Sequence, residues 1–241
     1  MSEHLQVHPD AATLAEAVAE ALVARLVEIQ AEGRTPVVGL TGGTIAAAVH
    51  RRLASSMNGL DVDWDDVDFW WGDERYVAAD SEDRNAGAAR EDFLEPVEAD
   101  LTRIHEMPAV DSGLSLTEAA AAYATELREF GGGTFDVLFL GIGPDGHVAS
   151  LFPHSTAVTT AGAVTVAVPD SPKPPAERIT LTLEALGRSD QVWFVASGQE
   201  KAQAVARALS AGPVEAVPAR GVRGLTSTTW WLDAAAASAL E

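Results

Sequence analysis

The chain has 241 residues, of which 47% are hydrophobic and 6% aromatic, and it contains no cysteine. This length and composition predict a single globular α/β domain over residues 1–241, and the lack of cysteine excludes disulfides, thiolate metal sites and cysteine nucleophiles. With 36 acidic and 16 basic residues the net charge is -20, which disfavours nucleic acid and anionic membranes as partners.

Hydrophobic periodicity predicts strands and helices that alternate along the chain. An amphipathic helix extends from Asp10 to Gly33, because it opens on a residue that favours the helix N-cap and closes on glycine. A short apolar strand at 35–40, a turn at 41–43 and a helix at 44–54 follow. Further strands are predicted at 67–72, 135–142, 163–168, 191–196 and 228–232, and further helices at 86–94, 115–130 and 199–209.

Repeated strand–helix units of this kind build mostly parallel sheets with helices on both faces. We therefore predict a single-domain Rossmann-like α/β fold. The first residues, which include His4 and His8, are expected to form a tail, and residues 170–176 a proline-rich loop. No segment reaches the roughly 18 apolar residues of a membrane span, and the N-terminal sequence lacks the pattern of a secretion signal. We expect a cytoplasmic protein with no membrane partner and no obligate protein partner.

Ligands of open α/β sheets bind at the carboxyl ends of the strands, so the loops that follow strands are the candidate sites. In the first of these loops, Gly42 and Gly43 allow the backbone to approach a ligand closely, and Thr44 adds a hydroxyl. The helix that begins there favours a phosphate at its N-terminus. A helix cap without a ligand explains the same residues.

A second loop carries an arginine beside two acidic residues at the end of a strand. Asp73, Glu74 and Arg75 emerge together, and a guanidinium placed there could bind a phosphate or a developing oxyanion through two hydrogen bonds. A surface ion-pair cluster is the alternative. The proline loop adds the cations Lys173 and Arg178, and its prolines would hold Lys173 in a fixed place.

Residues 136–153, DVLFLGIGPDGHVASLFP, run from a strand into a glycine-rich turn. The G-x-G-x-x-G spacing within them is that of a dinucleotide-binding loop. However, Asp145 would repel a pyrophosphate, and Pro144 removes a backbone donor. Asp145 could instead orient the imidazole of His147 and raise its basicity, which suits a general base near neutral pH. Alternatively, His147 merely caps a helix formed by HVASLF.

These loops together resemble the 6-phosphogluconolactonase family. The matching motifs are, in order, TGGT at 41–44, WGDERYV at 71–77, GIGPDGHVASLFP at 141–153 and KPPAERITLT at 173–182. The resemblance implies a fold similar to glucosamine-6-phosphate deaminase, hydrolysis of a sugar phosphate lactone, and neither a metal nor an organic cofactor. Two positions depart from the family pattern: Thr44 stands where serine is common, and Val148 where threonine is frequent.

The same resemblance implies a role for each candidate residue. His147 would deprotonate a water molecule that attacks the lactone carbonyl, with the assistance of Asp145. Arg75 would bind either the phosphate or the oxyanion, and is counted with these two as catalytic. The candidate substrate-binding and phosphate-binding residues are Gly42, Gly43, Thr44, Asp73, Glu74, Lys173 and Arg178.

Three other functions compete with lactone hydrolysis. An amino-sugar-phosphate deaminase or isomerase of the same superfamily would share the glycine loop and the D-G-H turn. That branch is expected to have the motif D-E-Y, however, where this chain has D-E-R with Arg75. A non-catalytic sugar-phosphate-sensing domain would need a DNA-binding region, for which the sequence before Asp10 leaves no room. An NAD-dependent dehydrogenase is suggested by the glycine spacing alone. No histidine or acidic grouping has the spacing of a metal site.

Overall fold

Strands and helices alternate through residues 2–55, 61–130 and 133–240, which the computed structural model describes. The strands are β1 (Ser2–His8), β2 (Val37–Leu40), β3 (Asp68–Trp71), β4 (Asp73–Arg75), β5 (Val137–Leu140), β6 (Thr165–Val168), β7 (Arg178–Leu181), β8 (Gln191–Ala196) and β9 (Ser227–Asp233). The α-helices are α1 (Ala11–Ala31), α2 (Thr44–Ser55), α3 (Asn85–Ala89), α4 (Leu116–Glu129), α5 (Leu183–Leu186) and α6 (Ala202–Leu209). None of the helices in these ranges has the length and apolar character needed to cross a membrane.

Six parallel strands form the main sheet, in the order β1-β9-β8-β5-β2-β3. Successive side chains of a strand point to opposite faces. Val137 and Phe139 accordingly pack in one core with α1 and α2, whereas Leu138 and Leu140 pack in a second core with α4 and α6. The predicted parallel sheet with helices on both faces is confirmed.

A second, smaller sheet consists of the antiparallel strands β4, β7 and β6. Residues 73–75, predicted as part of a loop, form β4 instead. A three-residue strand is too short to show the two-residue alternation by which strands are recognised in a sequence. Its pairing with β7 places Asp73 opposite Thr180 and Arg75 opposite Arg178. The small sheet thereby joins the D-E-R segment to the end of the proline loop.

Two further predictions are wrong. Residues 2–8 do not form a tail, because β1 is an edge strand that pairs in parallel with β9 from one end to the other. It is exposed over nearly its whole length, so its sequence carries little of the signal of a buried strand. The segment HVASLF forms no helix either, since Val148 and Leu151 make an isolated bridge around a tight turn. His147 therefore cannot be a helix cap.

The imidazole of His105 lies between two acidic side chains near the amino end of β3. Its Nδ1 is 2.8 Å from Glu126 Oε1, its Nε2 is 3.9 Å from Asp68 Oδ1, and its ring stacks on Trp70 with the centroids 3.9 Å apart. Burial lowers the pKa of His105, but the hydrogen bonds and negative charges of Asp68 and Glu126 outweigh this effect and raise the pKa to about 9.

We expect the free energy of unfolding to fall as the pH rises through 9. A histidine in the unfolded chain has a pKa near 6.5, so charged His105 stabilises the fold fully below that pH, and this stabilisation is lost as the folded protein deprotonates. The pKa difference corresponds to a loss on the order of 3 kcal/mol. Urea unfolding between about pH 6 and about pH 10 measures the loss. His105→Asn should flatten the dependence, and an unchanged slope would contradict this role.

Candidate active site

A cavity of about 680 Å³ opens at the carboxyl ends of β2, β5 and β8, beside β4 and the proline loop. Eight of the predicted site residues line it: Gly42, Gly43, Thr44, Asp73, Arg75, His147, Lys173 and Arg178. Glu74 and Asp145 are the two predicted residues that do not. The four loops, which are far apart in the sequence, thus meet at one place, as expected for the carboxyl edge of a parallel sheet.

The first loop is held in place by a contact with α3. Gly43 has φ 100°, a left-handed conformation that favours glycine. A Cβ atom on Gly42 would lie 1.8 Å from Oδ1 of Asn85, so the side chain of Asn85 occupies the space that any larger residue would need. The Nδ2 of Asn85 in turn donates to the Asp73 carbonyl over 3.0 Å. The start of α2, with its free N–H groups, is therefore fixed at the cavity wall.

The cavity is basic although the chain as a whole is strongly acidic. Of the described residues that line it, five are cationic, namely Arg51, Arg75, Lys173, Arg178 and Lys201, and two are acidic, namely Asp73 and Glu200. The net charge of the whole chain is -20. A local excess of positive charge in a concave site attracts anions, so the cavity suits a phosphorylated ligand.

Arg75 and Arg178 face each other across β4 and β7. Arg178 donates to the Pro175 carbonyl over 3.0 Å and to the carbonyls of Lys173 and Pro174 over 3.2 Å, so it fixes the shape of the proline loop. Burial lowers the pKa of Arg178, and the neighbouring charge of Arg75 lowers it further. Within the described residues neither arginine comes within 4.0 Å of a carboxylate oxygen. The ion-pair cluster considered for this segment is not formed there.

Glu74 has a position that rules out contact with a ligand. Its side chain is buried, and its carboxylate accepts hydrogen bonds of 2.8 Å from the backbone N–H groups of Arg75, Asn85 and Ala86. Burial raises its pKa, although the charge of Arg84 and these three bonds oppose the shift. Glu74 therefore fixes the start of α3 and the backbone of Arg75, and we now place it outside the binding site.

His147 and Asp145 form a close pair beside the cavity. The distance from His147 Nδ1 to Asp145 Oδ1 is 2.6 Å, and Lys173 Nζ lies 4.0 Å from the same oxygen. Burial alone would raise the pKa of Asp145, but the hydrogen bond from His147 and the charges of His147 and Lys173 hold it well below its usual range. The carboxylate accepts a hydrogen bond from Nδ1–H, so Nε2 of the neutral imidazole is the nitrogen that can take up a proton.

Two glycines, Gly143 and Gly146, shape the turn that carries this pair. A Cβ atom on Gly143 would lie 2.0 Å from Cε1 and Nδ1 of His147, so the ring packs directly on the backbone there. Gly146 has φ 92° and donates its N–H to the Gly143 carbonyl over 2.8 Å. On the other side, the ring of Phe152 lies 4.5 Å from the imidazole centroid. Gly143 and Gly146 of the G-x-G-x-x-G spacing thus shape the histidine turn, whereas a Cβ atom on Gly141 would meet none of the described residues within 4 Å.

Several lining residues lie outside the predicted set: Arg51, Asn85, Ser197, Gly198 and Lys201. Lys201 follows β8, so the rule that loops after strands carry ligands would have found it if applied to that strand. Burial lowers the pKa of Lys201, and the charge of Lys173 adds to this effect. Asn85 could not be found in this way, because a helix start far along the chain reaches the first loop only in the folded structure.

The fold and this cavity are those of an α/β protein with a basic site for a phosphorylated ligand at the carboxyl edge of its sheet. The profile of the family described as "Glucosamine-6-phosphate isomerases/6-phosphogluconolactonase" matches residues 9–231, and the chain belongs to this family. The 6-phosphogluconolactonase of Streptomyces coelicolor is 44% identical over 98% of this chain and 94% of its own length. The 6-phosphogluconolactonase of Mycobacterium tuberculosis is 41% identical over 100% of this chain and 99% of its own length. The resemblance predicted from the four motifs is confirmed.

Solved structures agree with this membership. The 6-phosphogluconolactonase of Trypanosoma brucei superposes with a TM-score of 0.87 at 27% identity and covers 100% of this chain, with 99% of its own chain matched. A monomeric glucosamine-6-phosphate deaminase superposes with a TM-score of 0.79 at 18% identity over 99% of this chain and 100% of its own. At 18% identity this likeness shows the fold and nothing more. It agrees with the predicted fold, which is similar to that of glucosamine-6-phosphate deaminase.

Proposed function

We propose that the protein hydrolyses 6-phospho-D-glucono-1,5-lactone to 6-phosphogluconate, a step of the oxidative pentose phosphate pathway. The observation that carries the proposal is the His147–Asp145 pair, 2.6 Å apart, at the wall of a cavity rich in cationic side chains. The names of the relatives support the same substrate. An anionic sugar lactone would find both a site for its phosphate and a base for its carbonyl.

The proposed chemistry begins with a water molecule near His147. Nε2 accepts a proton from the water as its oxygen attacks the lactone carbonyl carbon, and the carbonyl oxygen becomes an oxyanion. When the tetrahedral species collapses, the bond from that carbon to the ring oxygen breaks. Protonated His147 then gives its proton to the departing oxygen, which becomes a hydroxyl of the open-chain acid. Asp145 holds Nδ1 throughout and stabilises the charged ring.

The phosphate would bind at a second group of cavity residues. Gly42, Gly43 and Thr44 offer backbone N–H groups and a hydroxyl at the start of α2, and the side chains of Lys173 and Lys201 add charge. Arg75 serves either the oxyanion or the phosphate. The two roles separate in the kinetics of Arg75→Lys, since loss of an oxyanion contact lowers kcat by roughly 10² to 10³ and loss of a phosphate contact raises KM.

The proposal is tested with three compounds. Purified protein treated with a metal chelator should hydrolyse 6-phosphogluconolactone faster than the spontaneous reaction, and should accelerate unphosphorylated gluconolactone far less. The protein should release no ammonia from glucosamine 6-phosphate, because Arg75 occupies the position at which the deaminase branch has a tyrosine. Ammonia release without lactone hydrolysis would instead identify a deaminase.

Substitutions at the phosphate site should affect binding more than the chemical step. We expect Thr44→Ala and Lys173→Ala to raise KM for the lactone about tenfold or more with a smaller fall in kcat, because phosphate contacts are much the same in the ground state and the transition state. Arg52→Ala is the matched control, since Arg52 is an exposed cation on α2 outside the cavity. A fall in kcat with KM unchanged would place Thr44 or Lys173 at the reacting carbonyl.

A further inference from the structure

A buried hydrogen bond connects the histidine loop to the carboxylate of Asp73. Ser150 has no exposed surface, Asp73 is 6% exposed, and the Ser150 hydroxyl donates to Asp73 Oδ2 over 2.6 Å. A hydroxyl that donates to a carboxylate makes a short, strong bond, which fixes the rotation of the carboxylate. Asp73 lines the cavity, whereas Ser150 lies behind it.

The second oxygen of this carboxylate is free. Among the described residues Oδ1 of Asp73 has no hydrogen-bond partner, although Oδ2 is bound by Ser150. Asp73 lines the cavity, so a bound ligand can supply the donors that this carboxylate oxygen accepts. A carboxylate repels a phosphate, so the phosphate cannot be what it binds. The donors that a sugar lactone offers are its ring hydroxyl groups.

We propose that Asp73 accepts hydrogen bonds from ring hydroxyls of the substrate and that Ser150 is the positioning residue that holds the Asp73 carboxylate in place. The inference rests on the proposed function and deepens it, because it assigns one side of the cavity to the hydroxyls of the sugar. The cationic side chains and the start of α2 remain for the phosphate.

The backbone around Ser150 supports this role. Its N–H donates to Thr180 Oγ1 over 3.2 Å, and Thr180 lies opposite Asp73 in the register of β4 and β7. The preceding residue, Ala149, lines the cavity and has φ 49°, a left-handed conformation that is strained for alanine. Ser150 therefore holds this turn against both strands, so that one residue sets the distance between the His147 loop and Asp73.

Lactones that each lack a single hydroxyl test the inference. Initial rates are measured for 6-phosphogluconolactone and for its 2-deoxy, 3-deoxy and 4-deoxy analogues, with wild-type protein, Asp73→Asn and Ser150→Ala. At least one analogue should react with the wild type about 100-fold more slowly than 6-phosphogluconolactone, because the missing hydroxyl leaves the Asp73 carboxylate without its hydrogen-bond donor. That penalty should shrink about tenfold or more in Asp73→Asn and in part in Ser150→Ala, since the substitution and the missing hydroxyl remove the same interaction.

Ser155→Ala is the matched control, since the Ser155 hydroxyl is buried, has no hydrogen-bond partner among the described residues and lies outside the cavity. If Ser150→Ala fails to fold, as judged by its thermal unfolding, Ser150→Cys keeps the volume and weakens the bond. A loss of rate by the same factor for all four lactones would contradict this inference while leaving the proposed function intact. Absence of hydrolysis by the wild type would contradict both.

Discussion

Replacing His147 by alanine is expected to lower kcat for 6-phosphogluconolactone hydrolysis by about 10² to 10⁴, with KM little changed. The imidazole lies at the cavity wall, and Nε2 can accept the proton because Nδ1 is already committed to Asp145 over 2.6 Å. Without the ring, water must attack the carbonyl unassisted. The measurement is the initial rate of acid release at constant pH, after the spontaneous rate has been subtracted.

His154→Ala provides the control for this substitution. His154 belongs to the same segment, is exposed and lies outside the cavity, so its loss should leave kcat near the wild-type value. If His147→Ala and His154→Ala have equal kcat values, His147 has a structural role and another group activates the water.

Gly143→Ala is expected to reduce kcat by about 10² or more even though it adds a single methyl group. The new Cβ would lie 2.0 Å from the imidazole of His147 and 2.5 Å from Asp145 Oδ1. Both side chains, or the backbone beneath them, must then move. A displacement of about 1 Å at a general base costs this much in rate, whereas the free energy of unfolding should fall by only about 1 to 3 kcal/mol.

Gly141→Ala is the matched control, because a Cβ atom there would meet no atom of the described part of the chain within 4 Å, although Gly141 also lines the cavity. Crystal structures of both variants would locate the imidazole. Equal kcat values for the two alanine variants would contradict the account of Gly143.

The main sheet could be predicted because its strands are apolar and the helices between them show a clear 3.6-residue period. α1 illustrates this, with Asp10 as its cap and a buried stripe along one side. The small sheet could not be predicted, since β4 has three residues and all of them are charged. Its formation depends on pairing with β7, about a hundred residues later in the chain, and that contact has no local signal.

The candidate site was predictable to the extent that it follows one topological rule. Side chains placed after strands, such as Arg75 and His147, meet at the carboxyl edge of the sheet and line one cavity. The rule gives position but not orientation, so Glu74 was counted with Arg75 although its carboxylate turns inward to the start of α3. Contacts such as that of Asn85 with Gly42 arise from tertiary packing and are invisible in the sequence.

The most direct test of the account is the time course of 6-phosphogluconolactone in the presence and absence of the purified, chelator-treated protein, followed by NMR. Catalytic amounts of the wild-type protein should convert the lactone to 6-phosphogluconate many times faster than the buffer alone. The same amount of His147→Ala should give a time course close to the spontaneous one. Superimposable curves with and without the wild-type protein would contradict it.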